Sequence, residues 1–199
     1  MSEILALDIA TTCGWARGRV GDAVPQCGSV RFAKPGASQL AICGAAMRWA
    51  IDTLVQPLPD VIAIEGLLPP GALKQRSNEQ HELLGHLHGI ILGVAFLRGC
   101  YKVHKHQLNS IRAHFLHGVP YGKGEAKIVT MRKCRSLGWL ETADDDAADA
   151  CALWSYQAAL LDGEQVVRIS ELFRKSMPHR ESWDQMWAKP FDFSREPKT

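Results

Sequence analysis

The chain has 199 residues, 46% of them hydrophobic and 22% charged, with a formal net charge of +2. A chain of that length and balance makes one ordinary domain with its own core, which excludes a disordered chain, a small disulfide scaffold and a two-domain enzyme. The charge is too mild to announce nucleic-acid binding by itself, so its distribution along the chain has to be read.

Ile4-Leu5-Ala6-Leu7-Asp8-Ile9 is a short apolar run that suits a strand buried on both faces and ending at an acid. Gly14 permits a turn. Trp15 to Val20 and Ser29 to Ala33 read as two further strands, separated by Gly21-Asp22 and Pro25, so the start is an antiparallel meander. Ser38 is an N-cap for a helix carrying Leu40, Met47, Ile51, Leu54 and Val55, which stops near Pro57 and Pro59. Val61 to Glu65 is a fourth strand, again apolar and again ending in an acid. A long helix is expected over 73–97, a fifth strand at Tyr101 to His104, and helices over Gln107 to Leu116, Glu125 to Ser136 and Thr142 to Leu161. The sum predicts an α/β fold: a mixed five-stranded sheet, three antiparallel strands followed by strands alternating with helices, with helices on both faces. Residues 1–162 form the expected domain; residues 163–199 are a polar C-terminal extension, partly helical around Trp183, Met186 and Trp187 or disordered.

Met1 to Asp8 runs straight into the first strand without a signal or transit peptide, and no apolar run approaches the roughly 18 residues of a membrane helix, so a cytoplasmic protein is expected. Cys13, Cys27, Cys43, Cys100, Cys134 and Cys151 contain no CxxC pair and read as buried thiols. Trp15, Trp49, Trp139 and Trp154 are expected to fill core space. His114 and His117 can meet on a helix but lack partners at zinc-ligand spacing, so surface or DNA-facing roles are expected of the histidines.

Asp8 and Glu65 close apolar strands whose ends lie side by side if the strands are neighbours, and Asp146 and Asp149, spaced i, i+3, share a helix face. Four carboxylates crowded together repel unless cations neutralise them, and all-oxygen ligation suits Mg²⁺ or Mn²⁺. Two such ions about 4 Å apart activate water and stabilise the leaving oxygen of a phosphodiester. Thr142 followed by Asp145 matches a capping box, so Asp144 and Asp145 read as caps rather than ligands.

Leu5-Ala6-Leu7-Asp8 with Gly14-Trp15-Ala16, then Ala63-Ile64-Glu65, then Asp146-Ala147-Ala148-Asp149-Ala150 resemble, in order and spacing, the RuvC-type Holliday junction resolvases of the RNase H-like fold. The resemblance covers roughly Ile4 to Leu161. It implies that Asp8, Glu65, Asp146 and Asp149 are the catalytic acids, holding two Mg²⁺ or Mn²⁺ ions. It also implies a homodimeric endonuclease that resolves four-way or other branched DNA by paired symmetric nicks. Asp8-Ile9-Ala10-Thr11-Thr12 replaces the family's usual Asp-Pro-Gly, which suggests a divergent, phage-type member acting in a bacterial or phage-infected cell. Gly66-Leu67-Leu68-Pro69-Pro70 offers leucines where cellular members carry an aromatic wedge.

Nine bases and the single acid Glu125 lie between Arg98 and Arg135, directly before the acidic helix. Arg112 and Lys127 fall where the family places DNA-contacting bases; Lys123, in Gly122-Lys123-Gly124, and Lys105 are further candidates for phosphate contact. Gly85, Gly89 and Gly93 clear one stripe of the long helix, either for packing on its own sheet or for the homodimer contact the family makes there. Two other classes remain open. Asp8 with Thr11-Thr12 and Gly14 also resembles the phosphate turn of actin-like ATPases and sugar kinases, although 199 residues hold only one of the two domains between which those enzymes bind nucleotide. A junction-binding protein that does not cut is the third.

Overall fold

The computed structural model describes residues 1–67, 78–118, 121, 122 and 124–162. Strands β1 (Glu3–Asp8), β2 (Thr12–Arg19), β3 (Gln26–Arg31), β4 (Val61–Glu65) and β5 (Val103–His106) form one sheet in the order β3-β2-β1-β4-β5. β1 and β4, and β4 and β5, are parallel; the β1–β2 and β2–β3 pairs are antiparallel. Helices α1 (Gln39–Thr53) and α2 (Asn78–Arg98) cover one face, and α3 (Leu108–Phe115), α4 (Glu125–Ser136) and α5 (Asp145–Leu161) cover the other.

The period-2 geometry of a strand divides the continuous apolar runs between two cores. Leu5, Leu7, Ile62 and Ile64 pack on Ala46 and Ala50 of α1 and on Leu87 and Ile91 of α2. Ile4, Ala6 and Ala63 face the opposite way, against Ile111, Phe115, Cys134 and the alanine-rich side of α5. Among the tryptophans, Trp154 is fully buried and Trp139 nearly so, while Trp15 and Trp49 are partly buried against the other core. The cysteine thiols are all free, and four of the six are buried. Among the described residues no helix is long and apolar enough to cross a membrane.

Ser38 caps α1 by accepting from Ala41 N at 3.3 Å, as its sequence position predicts. Elsewhere pairing moves the boundaries. β3 starts at Gln26 rather than Ser29 because Gln26 pairs with Arg17, and Phe32 drops out of the strand into the α1 side of the core. β5 lies two residues later than Tyr101 to His104, since its register runs from Val103 opposite Ile62 to His106 opposite Glu65. α5 is capped by Asp144, whose side chain accepts from Ala147 N at 3.0 Å, so Thr142 and Asp145 form no capping box. The segment before Asn78 in the expected long helix, and the extension 163–199, lie outside the described residues.

Candidate active site

Parallel pairing of Leu7 with Ile64 brings the next residues of β1 and β4, Asp8 and Glu65, side by side at the carboxyl ends of adjacent strands. Alternation from Ala6 and Ala63 turns both side chains toward α5. The antiparallel partner of Asp8 is Gly14 on β2. A Cβ on Gly14 would stand 1.9 Å from the main-chain oxygen of Asp146, so only glycine lets the first turn of α5 rest on the sheet beside Asp8. Asp149, one turn further on, then lines a recess together with Asp8, Glu65 and Arg112, floored by Ile111, Phe115 and Leu153. Asp146 sits on the same helix outside that lining; its charge and that of Asp8 both act on the buried Cys13 thiol, which burial above all pushes up.

The electrostatics of the recess are those of crowded acids. Burial, and then the charge of Asp8, push the Asp149 carboxyl up to about 7, while Lys127 and Arg112 pull it down. Burial raises Asp146 as well, against the opposing pull of Lys127. Lys127 Nζ lies 2.7 Å from Asp145 Oδ2, 3.5 Å from Asp146 Oδ1 and 4.0 Å from Asp149 Oδ2. The buried Nε of Arg112 has no hydrogen-bond partner among the described residues, an unused donor at the edge of the acids. α3, which carries Arg112, is held to α4 by the buried Lys133, whose Nζ donates to Phe115 O and lies 4.4 Å from the Phe115 ring centroid.

Carboxylate oxygens of Asp144, Asp145 and Asp146 also gather within 4.8 Å of one another. Asp144 is committed there to Ala147 N and to the Ser29 hydroxyl, which donates to it at 2.8 Å. Asp145 is held below the usual carboxylate range by its bond to Lys127. Asp144 and Asp145 are therefore committed to the start of α5 and to Lys127. Asp149, in the recess, meets Lys127 only at 4.0 Å, beyond hydrogen-bond reach, and is held high.

Of the expected DNA contacts, Arg112 and Lys127 stand at the acids. Lys105 does not: its neighbours His104 and His106 face α5, so Lys105 points to the opposite side of the sheet, toward His88. Lys123 and Leu68 lie outside the described residues. His104 Nδ1 and His106 Nε2 reach Gln157 Oε1 at 3.0 and 2.7 Å, and His114 Nε2 reaches Ser155 Oγ at 3.1 Å. These three histidines thus tie β5 and α3 to α5; His104 is still exposed, as expected, whereas His106 and His114 are half-buried, a correction to the surface roles expected of those two, and burial pushes His114 down to about 4. No Cβ added at Gly85, Gly89 or Gly93 would meet an atom within 4 Å. The glycine stripe therefore does not serve packing against this chain's own described residues; Gly89 and Gly93 instead line a shallow apolar groove with Met47, Ile51 and Phe96.

Two features of the site carry no local signal in the sequence. Gly14 suits a turn, yet its role is a close approach to a helix that begins 131 residues later, counting from Gly14 to Asp145. Asp145 suits a cap, although its partner Lys127 is on another helix and nothing in the local pattern marks the pair.

This architecture is the fold found in solved structures of Holliday junction resolvases. No protein-family model matches the chain, and no curated protein matches it either. Among solved structures, Thermus thermophilus RuvC in complex with Holliday junction substrate superposes with a TM-score of 0.62 at 19% identity, over 82% of this chain and 97% of that one. A second structure of Thermus thermophilus RuvC gives 0.59 at 20% identity, over 81% and 96%. The yeast mitochondrial Holliday junction resolvase Ydc2 gives 0.51 at 11% identity, over 93% and 84%.

Proposed function

We propose that this protein is a metal-dependent endonuclease that cleaves branched DNA, resolving four-way junctions by paired nicks as a homodimer. The observation that carries the reading is the convergence of Asp8, Glu65 and Asp149 in one recess with the unused Nε donor of Arg112. Its position on a fold shared with a protein seen on a Holliday junction supports the choice of substrate.

The residues fit a divalent cation. The donor set is all carboxylate, and Asp149 is held high because burial and Asp8 disfavour its charge, a penalty that a cation would remove. Asp8, Glu65, Asp146 and Asp149 would hold two Mg²⁺ or Mn²⁺ ions. When bound, such a pair activates water for attack on a phosphodiester and stabilises the departing oxygen. The chain's own contribution is positional. Gly14 lets the first turn of α5 rest on the sheet beside Asp8, with Asp149 in the recess and Asp146 one turn before it, and Arg112 and Lys127 would supply positive charge for a phosphate brought to the mouth of the recess. The open glycine stripe on α2 provides a face for a second copy, and a two-fold pair of active sites matches two symmetric cuts.

The test is cleavage of a synthetic four-way junction beside flap, nicked and linear duplexes, in Mg²⁺, Mn²⁺ or EDTA, with Asp146→Asn as control. Paired symmetric nicks confined to the junction, and lost in EDTA and in the variant, are expected. Cutting of every branched form would make the protein a debranching nuclease. Binding without cutting in either metal would overturn the proposal in favour of a non-cleaving junction binder.

A further inference from the structure

Asp145 is the acid nearest to Lys127, at 2.7 Å, yet it is not among the four acids assigned to the metals and its side chain is 53% exposed. Lys127 also stands within 4.0 Å of two that are, Asp146 and Asp149. Opposite charges at such distances attract even after solvent screening, so the ammonium competes with any cation entering between those carboxylates. Asp144 is turned instead to Ala147 N and Ser29 Oγ, from which its two oxygens accept. Building on the metal site of the proposed function, we infer that Asp145 is a positioning residue: it draws the Lys127 ammonium toward itself, so that the ammonium reaches Asp146 only at 3.5 Å and Asp149 only at 4.0 Å, and thereby lowers the cation concentration at which those two acids are loaded. The same contact keeps Lys127 at the rim of the site, where a phosphate can reach it, after the carboxylates have taken up metal.

The experiment is a titration of the full chain with Mn²⁺ followed by electron paramagnetic resonance, and with Mg²⁺ followed by melting temperature, for wild type, Lys127→Met, Asp145→Asn and the double variant. Removing the competing ammonium should lower the metal midpoint about two- to fivefold, within the range of exposed ion pairs. Asp145→Asn should raise it by a similar factor, because Lys127 is left with only Asp146 and Asp149. In the Lys127→Met background the Asp145→Asn shift should all but vanish, since Asp145 acts through Lys127. An equal upward shift in both backgrounds would mean that Asp145 contributes only a general negative field, and would overturn the assignment while leaving the metal site intact. Failure of Lys127→Met to lower the midpoint would overturn it likewise. Absence of saturable Mn²⁺ binding by the wild type would remove the metal site itself, and the role of Asp145 with it.

Discussion

The main-chain oxygen of Asp146 lies over Gly14, 1.9 Å from where a Cβ on that residue would be. Gly14 pairs with Asp8 across β1 and β2, so one missing side chain brings together an acid on the sheet and the acids of α5. A backbone atom is the obstacle, and backbone cannot rotate away as a flexible side chain does. Gly14→Ala is expected to push the start of α5 outward, destabilise the fold by about 1–3 kcal/mol, as overpacking of a close approach does, and abolish junction cleavage. Thermal melting and the cleavage assay read the two effects; full activity with an unchanged melting temperature would refute the docking role.

Arg112 and Lys127 should act on DNA through charge. Each phosphate that a side chain no longer neutralises makes the slope of log K against log salt shallower by about 0.9. The double variant Arg112→Ala, Lys127→Ala should therefore bind a four-way junction more weakly at low salt, with a slope shallower by about 2. Lys105→Ala, on the other side of the sheet, should leave the slope nearly unchanged. Fluorescence anisotropy across a salt series measures both.

The pH dependence of metal-free stability should carry the signature of Asp149. Its carboxyl is raised from 3.8 to about 7 in the folded chain, so between those values the folded state keeps a proton that the unfolded state has released. Stability from this group is present at low pH and lost as pH rises toward and through 7. His88 and His114, pushed down to about 4 by burial, work the other way, because the unfolded chain binds their protons between about 4 and 6.5. The comparison that isolates the acid is therefore wild type minus Asp149→Asn in EDTA. That difference in melting temperature should fall between about pH 4.5 and 7.5, and a flat difference would contradict the largely desolvated, like-charged setting of Asp149.

Gly89→Leu should yield monomers. The position is open among the described residues, and leucine favours the helix over glycine by close to 1 kcal/mol, so α2 itself should not suffer. Sedimentation over a concentration series should show dimer affinity reduced at least tenfold, with the melting temperature of the monomer unchanged or higher. A dimer of wild-type affinity would move the self-association surface elsewhere.

Local chemistry made the sheet and much of the candidate site readable from the amino-acid order. Two continuous apolar runs, each ended by an acid, announced β1 and β4 with Asp8 and Glu65 at their tips, and the spacing of Asp146 and Asp149 placed both on one face of a helix. The solved structures of RuvC and Ydc2 share the fold that the order of these motifs implied. Such features depend on neighbours a few residues apart, where backbone geometry and the hydrophobic pattern decide the outcome.

Tertiary structure decided everything that turns on partners distant in sequence. Pairing to β4 set β5 at Val103–His106 and put Lys105 on the wrong face for the acids, because one step along a strand reverses a side chain. Packing left Asp149 only partly exposed and hard to ionise while leaving Asp145, four residues earlier, half exposed and bonded to a lysine from α4. Desolvation and Coulomb forces depend on what surrounds a group in space, and the sequence by itself specifies those surroundings only through the folded chain.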